Sequence, residues 1–119
     1  MDRAHRLRRR QDFAAAYRKG RAHGNSLLVV RVVPNGGDAS RFGFVTGKAI
    51  GNAVVRNRVK RRLREAARTL DVAPGFDVVI GARKAAADAA YATLHKSLAS
   101  LMQRSGALAR PVPQELDSK

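Results

Sequence analysis

Hydrophobic positions along the chain alternate between two kinds of pattern. Leu27 to Val33 (LLVVRVV) is rich in β-branched residues and predicts a strand. Pro34 to Asp38 (PNGGD) is a turn cluster, and Arg41 to Thr46 (RFGFVT) predicts the next strand, with the two expected to pair as a hairpin. A further short strand is expected near Thr46 to Ile50. Asn52 to Leu70 then takes a helical period, Pro74-Gly75 interrupts it, and Phe76 to Ala82 (FDVVIGA) predicts a largely buried strand. Tyr91, Leu94, Leu98, Leu101 and Met102 form the apolar stripe of a final helix over about Asp88 to Arg104, ended by Gly106. Upstream, Phe13 and Tyr17 share one face of a short helix that Asp12 can cap and Gly20 can end in a left-handed conformation.

This order predicts an α+β fold, with one mostly antiparallel sheet of about four strands and three helices packed on it. No internal repeat is present. Residues 1–106 are expected to form a single domain in which residues 1–10 are a basic, extended arm. Residues 107–119 contain two prolines and little apolar content, which predicts a flexible tail.

Charge sharpens the functional reading. The 119 residues carry 24 Lys and Arg against 9 Asp and Glu, a net charge of +15. The excess is concentrated, with +6 in residues 1–23 and +6 again in residues 52–70. Positive charge clustered on two segments of a folded domain favours nucleic acid over an idle solvated surface, whose self-repulsion would cost stability. There is no cysteine, which excludes disulfides, thiolate catalysis and Cys-containing zinc sites. The basic N-terminus is not followed by an apolar run suited to a signal peptide or membrane span, so a soluble, cytoplasmic protein is expected.

The 52–70 segment explains how its charge is displayed. At 100° per residue, Val55, Val59, Leu63, Ala66 and Leu70 fall within an arc of about 80°. Arg56, Arg58, Lys60, Arg61, Arg62, Arg64 and Arg68 occupy the rest of the wheel, offset by Glu65 alone. Glu65 can pair with Arg61, Arg62 or Arg68. Asn52 is the candidate N-cap. The prediction is a helix anchored along one side with a broad cationic outer surface. Asn57 is either placed to contact a sugar or base, or is a tolerated exposed polar residue.

The ordered run Gly51-Asn52-Ala53-Val54-Val55-Arg56-Asn57-Arg58-Val59-Lys60-Arg61-Arg62-Leu63-Arg64-Glu65 closely resembles the signature of the protein subunit of bacterial ribonuclease P. The resemblance extends over roughly residues 5–104. It takes in Arg6-Leu7, Asp12-Phe13, Tyr17 and Gly20, the pair Gly43 and Lys48, and Asp77-Val78-Val79-Ile80 with Ala82-Arg83. It implies an α/β sandwich with a left-handed βαβ crossover. It also implies that the protein partners a catalytic RNA that removes the 5′ leader from precursor tRNA, with the active site and its Mg2+ in the RNA. No cofactor and no catalytic residue is then expected on the protein.

Carried onto this chain, the resemblance assigns Asn52, Arg56, Asn57, Arg58, Lys60, Arg61, Arg62, Arg64 and Arg68 to ribonuclease P RNA. It assigns Phe13 and Tyr17 to a cleft for the single-stranded leader, with Arg9, Arg10 and Lys48 contacting phosphate. For Phe13 and Tyr17 the other reading is core packing. This sequence departs from the family at three points. Arg31 stands where an aromatic residue often faces the cleft, so a cationic contact replaces a stacking one. Lys48 is followed by Ala49 rather than a second lysine, and Thr46-Gly47 replaces a serine-rich stretch.

Protein-based catalysis finds little support. His5, His23 and His95 have no metal-ligand spacing, and Asp38, Asp71, Asp77 and Asp88 form no evident acid/base or two-metal set. No Gly-rich loop opens a helix with a following Lys-Ser/Thr. The alternatives to a ribonucleoprotein subunit are a ribosomal or general RNA-chaperone protein, and a DNA-binding protein. The last is weakest, because a strand and not a helix precedes the basic helix.

Overall fold

The computed structural model describes residues 5–109. Its elements are α1 (Arg10–Lys19), β1 (Arg21–Gly24), β2 (Leu28–Pro34), β3 (Arg41–Thr46), α2 (Ala53–Arg68), β4 (Phe76–Ala82) and α3 (Tyr91–Ser105). Short 3-10 turns at Lys48–Ile50 and Lys84–Asp88 precede α2 and α3. The first of these stands where a strand near Thr46 to Ile50 was expected.

The four strands form one sheet in the order β1-β2-β4-β3. β1 pairs antiparallel with β2, β2 antiparallel with β4, and β3 parallel with β4. The expected hairpin of β2 with β3 is therefore not formed, because β4 lies between them. The reason is in β4 itself: Asp77, Val78, Val79 and Ile80 are buried on both faces, which only a central strand can satisfy. β3 and β4 are adjacent, parallel and joined through α2, so this is the βαβ unit of the fold.

Alternation along the strands divides the core in two. Leu28, Val30 and Val32 of β2, with Val78 and Ile80 of β4, pack under Val59, Leu63 and Ala66 of α2 and Leu94, Leu98 and Leu101 of α3. On the other face Val79 packs with Ala16 of α1 and Leu7, flanked by Phe13, Val33 and Val45. Helices thus cover both faces of the sheet, two on one side and one on the other.

Two ends of α1 differ from expectation. Asp12 does not cap it: the helix starts two residues earlier, after Arg9, without a side-chain cap. The Asp12 carboxylate instead lies 3.5 Å from Arg41 Nη1. Arg41 also makes a bidentate pair with buried Asp77, donating Nε to Oδ1 at 2.9 Å and Nη2 to Oδ2 at 2.7 Å. Arg41 and Asp77 are register partners across β3 and β4, so the pair fixes that register and ties α1 to it. Asp77 holds the Arg41 guanidinium above its ordinary pKa, chiefly by hydrogen bonding. That contribution persists to the top of the basic range, and is lost only as pH rises through the raised value.

Gly20 is extended, not left-handed (φ −75°, ψ 146°), and leads straight into β1. It must be small because a Cβ would collide with the Ala16 carbonyl oxygen, to which the Gly20 N–H already donates. Gly106 does end α3 left-handed, at φ 80°.

The termini are more structured than expected where they are described. Residues 1–4 and 110–119 lie outside the described residues. Within the expected arm, Arg6 bridges to Phe42 and Leu7 is buried. Within the expected tail, Ala107 is buried, Leu108 bridges to Val72, and the Ala109 N–H donates to Asp71 O.

Candidate nucleic-acid interface

α2 owes its placement to the residues before it. Gly51 adopts φ 146°, where a side chain would be strained and would press on Val55. The chain then turns into Asn52, whose Oδ1 accepts from the Val55 N–H at 3.0 Å. Asn52 is thus the expected N-cap, exposed at the start of the helix. Val59, Leu63, Ala66 and Ala67 bury the inner side, while Val55 and Leu70 pack at its margins.

The outer face presents the expected cations in two states. Arg61 and Asn57 are exposed, and the Asn57 side chain makes no hydrogen bond among the described residues. Arg68 is exposed and pairs with Glu65 at 2.9 Å, which settles the partner of that carboxylate. The other cations lie lower. Arg62 Nη1 donates to Ala89 O at 2.8 Å and Arg58 Nη2 to Ala87 O at 3.4 Å, so both reach across to the turn before α3. Arg56, Arg58 and Arg64 each bury Nε without a partner. Their stems are held against the surface while the guanidinium ends stay within reach of a ligand. A half-immobilised guanidinium loses less freedom on meeting a phosphate than a freely rotating one.

A second candidate surface lies on the opposite face of the sheet, where α1 covers only part of it. Tyr17 is 49% exposed there. The Arg31 guanidinium carbon sits 4.6 Å from its ring centroid. The structure therefore brings these two predicted leader residues into direct contact. Arg83 also reaches this region, since a Cβ at Gly24 would lie 2.9 Å from its Nη2. Arg10 falls on the same helical stripe as Phe13 and Tyr17, whereas Arg9 precedes the helix, and both arginines are exposed. Lys48 is exposed in the turn before α2, away from Tyr17 in the chain and not in contact with it.

Phe13 is half-buried and packs on one side. Its ring lies against the backbone of Gly43, where a Cβ would come within 2.5 Å of Cε1. It belongs to the smaller core with Leu7, Ala16 and Val79. Sequence reasoning did not select Arg6, Arg8, Phe44 or Arg83. Arg64 stacks toward Phe44 at 5.8 Å, and burial followed by the charge of Arg6 lowers its pKa. The sequence signals for Arg6 were the charge of the arm and its place in the family resemblance, and for Phe44 its place on a strand shortly before the basic helix. Among the described residues, no group of three or more His, Cys, Asp or Glu is placed to hold a metal ion.

Comparison with known proteins gives a consistent result. The family model described as Ribonuclease P matches residues 1–106. The chain is 42% identical over 113 residues to the ribonuclease P protein component of Symbiobacterium thermophilum, covering 92% of this chain and 98% of the relative. It is 46% identical over 110 residues to that of Streptomyces bikiniensis, covering 83% and 89%. Among solved structures, the Staphylococcus aureus RNase P protein superposes with a TM-score of 0.81 at 29% identity, covering 89% of this chain and 99% of that one. The RNase P protein from Thermotoga maritima superposes at 0.76 with 34% identity, covering 83% and 96%.

Proposed function

The chain belongs to the ribonuclease P protein family, and on that premise we propose which of its surfaces meets which RNA. As a family member it is the accessory subunit of an RNA-based endoribonuclease of tRNA 5′ maturation, and ribonuclease P RNA is its partner. The comparisons give no support to a ribosomal or general chaperone role.

In this reading the outer face of α2 binds the catalytic RNA. Arg56, Arg58, Lys60, Arg61, Arg62 and Arg64 contact phosphates, Arg68 joins them at the helix end, and Asn57 contacts sugar or base. Asn52 serves by capping the helix. The Tyr17–Arg31 surface takes the single-stranded leader of precursor tRNA, with Arg9, Arg10 and Lys48 adding charge along its path. Phe13 lies one turn from Tyr17 on the same helical face, half-buried against Gly43 of β3. The single observation that carries the assignment is the placement of the two surfaces on opposite faces of one sheet, so that both RNAs can bind at once.

The protein's contribution to cleavage is then binding and orientation. In this reading the Mg2+ of the reaction belongs to the RNA. A cytoplasmic location goes with this partner. No described helix is long and apolar enough to cross a membrane.

The test is the paired substitution Arg56→Ala with Arg58→Ala. Binding to the catalytic RNA should weaken, and the slope of log affinity against log salt should fall by about 0.7–0.9 for each phosphate no longer neutralised. Unchanged affinity and slope would remove α2 from the interface. The RNA that copurifies with the protein checks the partner: one dominant structured species is expected, and ribosomal RNA alone would contradict it.

A further inference from the structure

The N-terminal segment does not hang free of the basic helix. Arg6 forms a parallel bridge with Phe42, the Leu7 N–H donates to Phe42 O at 2.8 Å, and Leu7 is 5% exposed. The segment thus runs beside the outer edge of β3 and closes a pocket of about 250 Å³ against α2.

The chemistry of this pocket is uneven. Arg6, Arg8, Lys60 and Arg64 line it, and among the described residues no carboxylate does. Its apolar wall is aromatic, from Phe13, Phe42 and Phe44, with buried Gly43 between the strand phenylalanines. Arg64 is held on two sides. Its guanidinium lies 5.8 Å from the Phe44 ring centroid, and its Nε is buried without a partner. Arg6 is close enough to disfavour its charge further. Two guanidinium groups held together over an aromatic wall repel each other unless an anion sits between them. A phosphate would accept from both, and its attached sugar and base would cover the ring. The volume is below the about 300–1,000 Å³ of drug-sized ligand sites, which suits one nucleotide and not a duplex.

We propose that this pocket holds one unpaired nucleotide of the partner RNA, with its phosphate shared by Arg6 and Arg64 and its base or sugar against Phe44. The shared phosphate turns the Arg6–Arg64 repulsion into a bridge and latches the N-terminal segment onto β3. The interface with the catalytic RNA is therefore composite, built from α2, β3 and the start of the chain. This inference rests on the reading that α2 faces that RNA.

The experiment is a double-mutant cycle on the full chain, measuring affinity for the catalytic RNA across salt concentrations. Arg6→Gln and Arg64→Gln should each weaken binding about tenfold, as expected for one charge-assisted hydrogen bond. The double variant should be little worse than either single, and should lose only one phosphate's share of the salt slope. Arg61→Gln, on the exposed face, should weaken binding independently and multiply with either. Independent losses from Arg6→Gln and Arg64→Gln overturn the shared phosphate. Loss from Arg61→Gln with none from Arg6→Gln overturns the pocket alone, whereas no loss from any variant overturns the α2 reading itself. Phe44→Leu should lower affinity without changing the salt slope; unchanged affinity overturns the stacking wall. Finally, hydrogen exchange at the Leu7 amide should slow when RNA binds the parent chain but not Arg64→Gln. Equal protection in both overturns the latch.

Discussion

With the Arg31 guanidinium over one side of its ring, Tyr17 leaves its other aromatic face and its hydroxyl edge for RNA, and Arg31 sets a cation beside them. A single-stranded segment can stack on the free face and place a phosphate on the cation. Tyr17→Ala should therefore weaken precursor tRNA binding by about 1–3 kcal/mol and leave mature tRNA binding unchanged. Equal loss for both substrates in a binding titration would reject the leader assignment. Phe13 belongs to a different class. Because its ring rests on Gly43, Gly43→Ala should lower stability by about 1–3 kcal/mol through overpacking, measured by denaturant unfolding. The sequence left Phe13 open between cleft and core, since spacing places two residues on one helical face without saying what that face meets. The resemblance set Arg31 in an aromatic's place and grouped it with Tyr17, and the structure places the two in contact. The Arg41–Asp77–Asp12 network was not legible, because Arg41 stands 29 and 36 positions from its two partners and only the sheet order joins them.

α2 was the most legible element, and the reason is physical. A long helix with a strict apolar stripe and a side-chain cap carries its own boundaries. The structure starts it at Ala53 after Asn52 and ends it at Arg68. Asn52→Ala should cost about 1 kcal/mol of stability, read as a lower melting temperature, and should weaken RNA binding only as far as the first turn frays. No change in melting would mean the Val55 N–H finds water as good a partner. The strands were legible singly but not in their pairing. Adjacency in sequence suggested a hairpin of β2 with β3, whereas burial of β4 on both faces required it at the centre. β1 gave no signal at all: RAHG is four residues long, mostly exposed and without alternation, and it is a strand only because β2 has an edge to pair.

At the scale of the molecule, the sheet separates two tasks by its own thickness. The cationic face of α2 lies on the side shared with α3, and the Tyr17–Arg31 surface lies on the side shared with α1. Net charge of +15 draws RNA to the protein without distinguishing the two. What distinguishes them is the number of cations: α2 offers a row of them, whereas the α1 side offers a tyrosine with one cation on its face. Assembly with the catalytic RNA should accordingly fall steeply with salt, and the leader contribution should fall less. The two sets of substitutions share no partner, so their free-energy effects should add. The triple variant Tyr17→Ala, Arg56→Ala, Arg58→Ala should show the separate losses summed to within about 0.5 kcal/mol, in precursor tRNA binding by the assembled particle at RNA-saturating protein. A coupling well above that figure would mean that one RNA spans both faces, and the separation of tasks by the sheet would fail.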